Sequence, residues 1–220
     1  MPKHGHHFGL YRPSLHILGI PSSRREIADI AKGWVVVSFI FAMLNVRRTI
    51  NVNFFVLLFS PEFIRQFVIA GITVGVGFLL HEMAHKIVAQ KYGCIAEFRS
   101  DDMMLILALL MASFLGFVFI APGATMIAGK VNTAQTGRIS IAGPLTNLAI
   151  AIFFLLFTFI PLEAAAEIAT SGYFINVFLA TFNMIPLWIF DGKKVWDWNR
   201  LYWFVTIVVC IGMLIPFFIG

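Results

Sequence analysis

The stretch Phe67–Gln90, FVIAGITVGVGFLLHEMAHKIVAQ, decides the fold class. It is long enough to cross the apolar core of a bilayer, which takes about 20 residues as an α-helix. Yet His81, Glu82, His85 and Lys86 stand inside it. The rest of the chain agrees with a membrane setting. Hydrophobic residues make up 60% of the 220 and charged residues 12%, against about 25% charged in a soluble domain. Phe alone occurs 24 times, and mean hydropathy is +0.88. A soluble domain of this size leaves too much of its chain in contact with water to hide that apolar surface.

Working outward, further spans are expected at Gly33–Asn45 (with an amphipathic lead-in from Ile27), Met103–Ala121, Ile139–Pro161, Gly172–Phe190 and Leu201–Gly220. Residues 49–60 are apolar but too short to cross, and read as lying at the interface. The expectation is an all-α polytopic membrane protein with five to six transmembrane helices plus a re-entrant or β-hairpin segment. Residues 1–26 form an N-terminal cytoplasmic tail and 27–220 a single transmembrane domain with its core at 67–192. The tail lacks the compact apolar run of a signal peptide, and its His4, His6 and His7 read as a solvated cluster. Cys94 and Cys210 read as inert thiols. The net charge of +5 fits basic loops on the cytoplasmic side of a membrane. With no aromatic-basic platform in the sequence, no nucleic-acid partner is expected.

Ionisable groups in the bilayer interior are costly and mark functional sites. Four of the expected spans, Met103–Ala121, Ile139–Pro161, Gly172–Phe190 and Leu201–Gly220, carry none that is charged at neutral pH. That leaves His81-Glu82-Met83-Ala84-His85, an H-E-x-x-H. Histidines at i and i+4 share one helix face and can reach one metal ion, while Glu82 sits about 100° round the helix, placed to take a proton without being a ligand. Neutral imidazole suits Zn2+, whose catalytic sites take three protein ligands. Candidates for the third are Asp101 and Asp102 in a polar loop, Glu163 and Glu167 after an apolar helix, and Asp191. Asp191 follows Asn183-Met184-Ile185-Pro186, where the proline ends a helix.

The H-E-x-x-H in one helix and Asn183, Pro186, Asp191 and Gly192 at the end of a later one resemble the site-2 protease family of intramembrane zinc metalloproteases. Gly143-Pro144-Leu145-Thr146-Asn147 resembles its Gly-Pro-x-x-Asn segment, and Pro122-Gly123-Ala124 its membrane-embedded hairpin. Met184 stands where the family has a proline. The resemblance spans residues 67–192 and shows no PDZ- or CBS-like insertion. It implies a Zn2+ ion, one per chain, held by His81, His85 and Asp191, with Glu82 as general base. It further implies an oxyanion donor at Asn183, a weaker one at Asn147, and substrate contact at Gly123. The substrates implied are transmembrane proteins cleaved within the lipid bilayer.

Topology constrains the third ligand. His81, His85 and Asp191 lie at one depth only if the segment Met103 to Gly129 dips in and returns without crossing. That arrangement puts 13 of the 16 Lys and Arg on one side, leaving Arg47, Arg48 and Arg65 on the other, a normal positive-inside bias. It places the site toward the cytoplasm and Glu163 and Glu167 on the far face. Three alternatives remain at this point: a membrane-anchored metalloprotease with a glutamate third ligand, a zinc or proton transporter using the same buried residues, and an inactive homologue acting as a binding scaffold.

Overall fold

The computed structural model describes residues 15–17, 19–49, 58–117, 123–187 and 190–216. The histidine cluster at 4–7, most of the interfacial segment 49–60, Pro122 and Trp188 lie outside them. Part of the expected N-terminal tail is ordered structure. β1 (Leu15–Ile17) and β2 (Ile20–Ser22) form a hairpin, and α1 (Arg24–Thr49) starts before residue 27, where Ser23 Oγ accepts the Glu26 N–H.

α2 runs continuously from Pro61 to Lys91. Ser60 caps it, with Pro61 in the first turn, where a missing N–H costs nothing. Gly71–Gly75 is a π-turn, the kind of insertion that frees carbonyls in mid-helix. Trp34 of α1 fills that opening and donates from Nε1 to Gly71 O at 3.0 Å. The Gly71/Gly75 pair therefore serves packing inside the bundle, since a Cβ at Gly75 would strike the Trp34 ring. Next come β3 (Ile95–Ser100), α3 (Asp102–Leu115), β4 (Gly123–Ala128), α4 (Thr133–Leu156), α5 (Glu163–Asn183), α6 (Asp191–Trp198) and α7 (Arg200–Leu214). Among the described residues α1, α2, α4 and α5 are long and apolar enough to span a membrane, and α3 and α7 are shorter.

β3 is an element that the sequence reading lacks. It pairs antiparallel with β4, with Ser100 opposite Gly123, so both ends of the segment between them lie side by side. α3 has 14 residues, about 21 Å of helix, short of the ~30 Å apolar core. It runs beside α1: Lys32 pairs with Asp102 at its start, and Arg47 donates to the carbonyls of Ala112 and Ser113 at its end. The helix that starts at Asp102 thus ends at Leu115, with Gly116 in the left-handed conformation, and the pairing of β3 with β4 brings the two flanks of this segment together.

Polar side chains separate to the two ends of the bundle. Arg65 pairs with Glu62 and Glu167, and Gln66 bonds Glu167 and Asn45. His81 lies 16 residues further along α2, roughly 24 Å away. At the other end Lys86, fully buried, donates to Glu26 Oε2 at 2.6 Å and to Ser22 Oγ at 3.0 Å. Glu26 Oε1 accepts the Phe98 N–H at 2.9 Å. A buried ion pair is stable only when its remaining valences are filled. Here the filling ties α1, α2 and β3 together directly beneath the H-E-x-x-H.

Candidate metal centre

α2 brings His81 and His85 onto one face, and α6 delivers Asp191 to them. The delivery depends on a tight reversal after α5. The helix ends at Asn183, before Pro186, and residues 184–187 fold back against the start of α6. A Cβ at Gly192 would overlap the Met184 carbonyl and lie 2.7 Å from that of Ile185, which is why glycine follows Asp191. Trp203 of α7 locks the turn by donating from Nε1 to Met184 O at 2.8 Å.

The Nε2 atoms of His81 and His85 are 3.0 Å apart, and Asp191 Oδ2 lies 3.3 Å from the first and 3.0 Å from the second. All three residues are buried. Burial alone would raise the Asp191 carboxyl, but the two imidazoles against it outweigh burial and hold it well below the usual carboxylate range. Lys194 approaches its other oxygen at 3.6 Å.

The tautomers follow from the hydrogen bonds behind the rings. His85 Nδ1 faces the Ile139 carbonyl at 2.8 Å; a carbonyl only accepts, so Nδ1 carries the proton. For His81 the argument runs through a relay. Asn176 Nδ2 donates to Gly172 O at 2.8 Å, which turns its Oδ1 toward Asn147. Asn147 Nδ2 donates to that oxygen at 3.0 Å, which turns its own Oδ1 to His81 Nδ1 at 2.6 Å. His81 Nδ1 is therefore the donor. Both Nε2 atoms and the Asp191 carboxylate then converge on one point. With both rings neutral, that point is faced by two imidazole lone pairs and a carboxylate, a donor set that suits zinc.

Gly143 of α4 completes the fit. A Cβ there would stand 2.5 Å from both Nε2 atoms, so this glycine keeps the space before the ligands clear. The other acidic candidates are occupied elsewhere: Asp101 caps α3, Asp102 pairs with Lys32, and Glu167 sits with Arg65 at the opposite end. The glutamate-ligand alternative falls on that separation.

Glu82 stands outside the trio. Its Oε2 accepts the Thr125 N–H at 2.9 Å and the Thr125 hydroxyl at 2.8 Å, so β4 gives one backbone donor to Glu82 rather than to β3. Asn183 donates to Leu179 O at 3.0 Å and lines a cavity together with His81 and Glu82. Asn147 is placed behind His81, on the Nδ1 side. Gly123 opens β4, where a Cβ would meet the Phe98 ring at 2.6 Å and Ser100 Cα at 2.8 Å. The sequence reading missed Thr125 and Asn176. Asn176 carried a signal, as an amide in mid-span of an apolar helix. Thr125 carried none.

Because Asn176 fixes the His81 tautomer from two residues away, Asn176→Leu is expected to lower zinc affinity about 10–100-fold, the usual effect of losing an outer partner of a ligand. Competition with a chromophoric chelator reads this directly, and unchanged affinity would sink the relay.

Two buried histidines and a buried aspartate that converge, with a glutamate beside them that is not part of the trio, define a metallopeptidase-like centre in a polytopic membrane protein. Sequence comparison agrees. The chain is 39% identical, over 196 residues, to a protein of Methanocaldococcus jannaschii described as "Putative zinc metalloprotease MJ0611", covering 88% of this chain and 94% of that one. The chain belongs to this zinc metalloprotease family, a membership that does not favour the transporter alternative. No family model and no solved structure matches it.

Proposed function

We propose that the chain is an intramembrane zinc endopeptidase of the site-2 protease type, cutting peptide bonds within or near transmembrane segments of membrane-protein substrates. One observation carries the reading: two imidazole nitrogens and a carboxylate oxygen lie within 4.8 Å of one another, one helix position away from a carboxylate that is not one of the three. His81, His85 and Asp191 hold the ion. The chemistry zinc supplies at such a donor set is Lewis acidity and water that ionises near neutral pH.

Glu82 takes the proton from the attacking water as its oxygen adds to the peptide carbonyl, and returns it to the leaving amine. Asn183 serves the developing oxyanion: its amide has two N–H donors, of which Leu179 O takes one. To Asn147 we assign the orientation of His81 instead. A transmembrane helix hides its amides, so the substrate is read as an extended strand. It adds along the edge of β4 that faces away from β3, next to Thr125, whose N–H bonds Glu82. The end of the bundle that holds Asp191 also holds Lys86, Lys193, Lys194 and Arg200, and the positive-inside rule supports the reading that this end faces the cytoplasm.

Metal analysis of the purified protein beside Asp191→Ala tests this without a substrate. The wild type should carry about one zinc per chain and the variant at least ~10-fold less at equal free zinc. Zinc retained in full by the variant would overturn the three-ligand centre, and a wild type that binds none would overturn the protease reading.

A further inference from the structure

A cavity of about 110 Å³ opens beside the centre. One face of each of three long helices forms it: α1 through Val37, Ile40 and Phe41, α2 through Val74 and Phe78 before reaching His81 and Glu82, and α5 through Phe178 and Phe182. α3 closes it with Ala108. The polar lining is confined to His81, Glu82 and Asn183, the residues assigned above to chemistry; every other wall is aliphatic or phenyl. A bundle that packed only for stability would fill such a space, because each missing methyl group weakens the core.

We infer that this cavity is a specificity pocket for one aliphatic side chain of the substrate, next to the bond that is cut. The inference rests on the protease reading and goes beyond it. Three features choose the occupant. The cavity is continuous with the centre, since His81 and Glu82 belong to its wall, so a residue bound across the metal directs its side chain there. An engineered dry cavity of about 150 Å³ holds benzene; the space here admits the four-carbon side chain of leucine and is too small for an indole. No basic side chain lines it, so an acidic residue entering it would lose hydration with no compensating partner. The preferred cleavage site then has leucine, isoleucine or methionine at that position, and tryptophan and aspartate are rejected.

Peptide hydroxamates, which chelate the metal and carry one side chain beside it, test the pocket on zinc-loaded, detergent-solubilised full-length protein. Binding is measured by calorimetry for glycine, leucine, tryptophan and aspartate versions. The leucine compound should bind at least ~10-fold tighter than the glycine compound, as expected for several buried methylene equivalents, and the other two no tighter than glycine. Ala108→Leu, which fills the space from α3, should cut the leucine advantage below ~3-fold and leave the glycine compound unchanged. Phe178→Ala, which enlarges it, should bring the tryptophan compound to the level of leucine, and this variant carries the test if Ala108→Leu does not fold. Equal affinity for glycine and leucine in the wild type would overturn the pocket and leave the metal centre standing. If even the glycine compound fails to bind protein shown to hold zinc, the protease reading falls and the pocket with it.

Discussion

Glu82→Gln is expected to abolish peptide hydrolysis while leaving zinc bound. The change is isosteric and removes one capability, that of accepting a proton. The glutamine carbonyl oxygen can still take the Thr125 N–H and hydroxyl that now hold Glu82 Oε2, so the side chain stays in place. His81, His85 and Asp191 keep every contact that positions them. A general base contributes about 10²–10⁴-fold, and loss of a group that acts only in the transition state lowers kcat and kcat/KM together with KM little changed. Cleavage of a membrane-embedded peptide, with zinc measured on the same preparation, gives both readouts. Activity within ~10-fold of wild type would remove Glu82 from the proton's path; a variant that has lost zinc would mean that Glu82 helps to hold the ion.

The parts of this protein that a sequence shows are those governed by period and cost. Apolar runs mark the spans, and the expense of charge in a bilayer singles out His81, Glu82 and His85. Charge distribution leads to the expectation that the segment after Met103 returns without crossing, and the pairing of Ser100 with Gly123 sets the two flanks of that segment side by side. What stayed hidden depends on contacts between distant segments. Ile95–Ser100 becomes a strand because β4 is beside it and Glu26 takes the Phe98 amide; with Glu97, Arg99 and Ser100 in it, nothing local marks a strand within a membrane protein. Glu26 looks like a tail residue until Lys86 reaches it, 60 positions on. Asn147 was visible as part of a motif, but its task was not, because that depends on where Asn176 and Gly172 fall on another helix.

The same dependence on a neighbouring helix makes Gly143→Ala the most revealing substitution for the metal centre. In an isolated helix the change should help, since alanine is favoured over glycine by roughly 1 kcal/mol. Here the new methyl would lie 2.5 Å from the Nε2 atoms of both His81 and His85 and 2.6 Å from His81 Cε1. Those are the atoms proposed to hold the ion, so the methyl occupies coordination space rather than a tolerant packing gap. The rings cannot swing away cheaply, because Asn147 and the Ile139 carbonyl hold them from behind. Nor can α4 move off alone, as Pro144 and Asn147 are buried on the same helix. Zinc affinity is therefore expected to fall by at least ~100-fold, the upper end of what losing an outer-shell partner costs. The metal-free protein should also melt below the metal-free wild type, because the same clash is present without the ion, so zinc affinity is compared at a temperature where both are folded. Gly212→Ala on α7, where a Cβ meets nothing within 4 Å, provides the control and should change neither zinc content nor activity. Full zinc occupancy in Gly143→Ala would mean that the ion sits away from the Nε2 pair, and the ligand geometry proposed here would have to be abandoned.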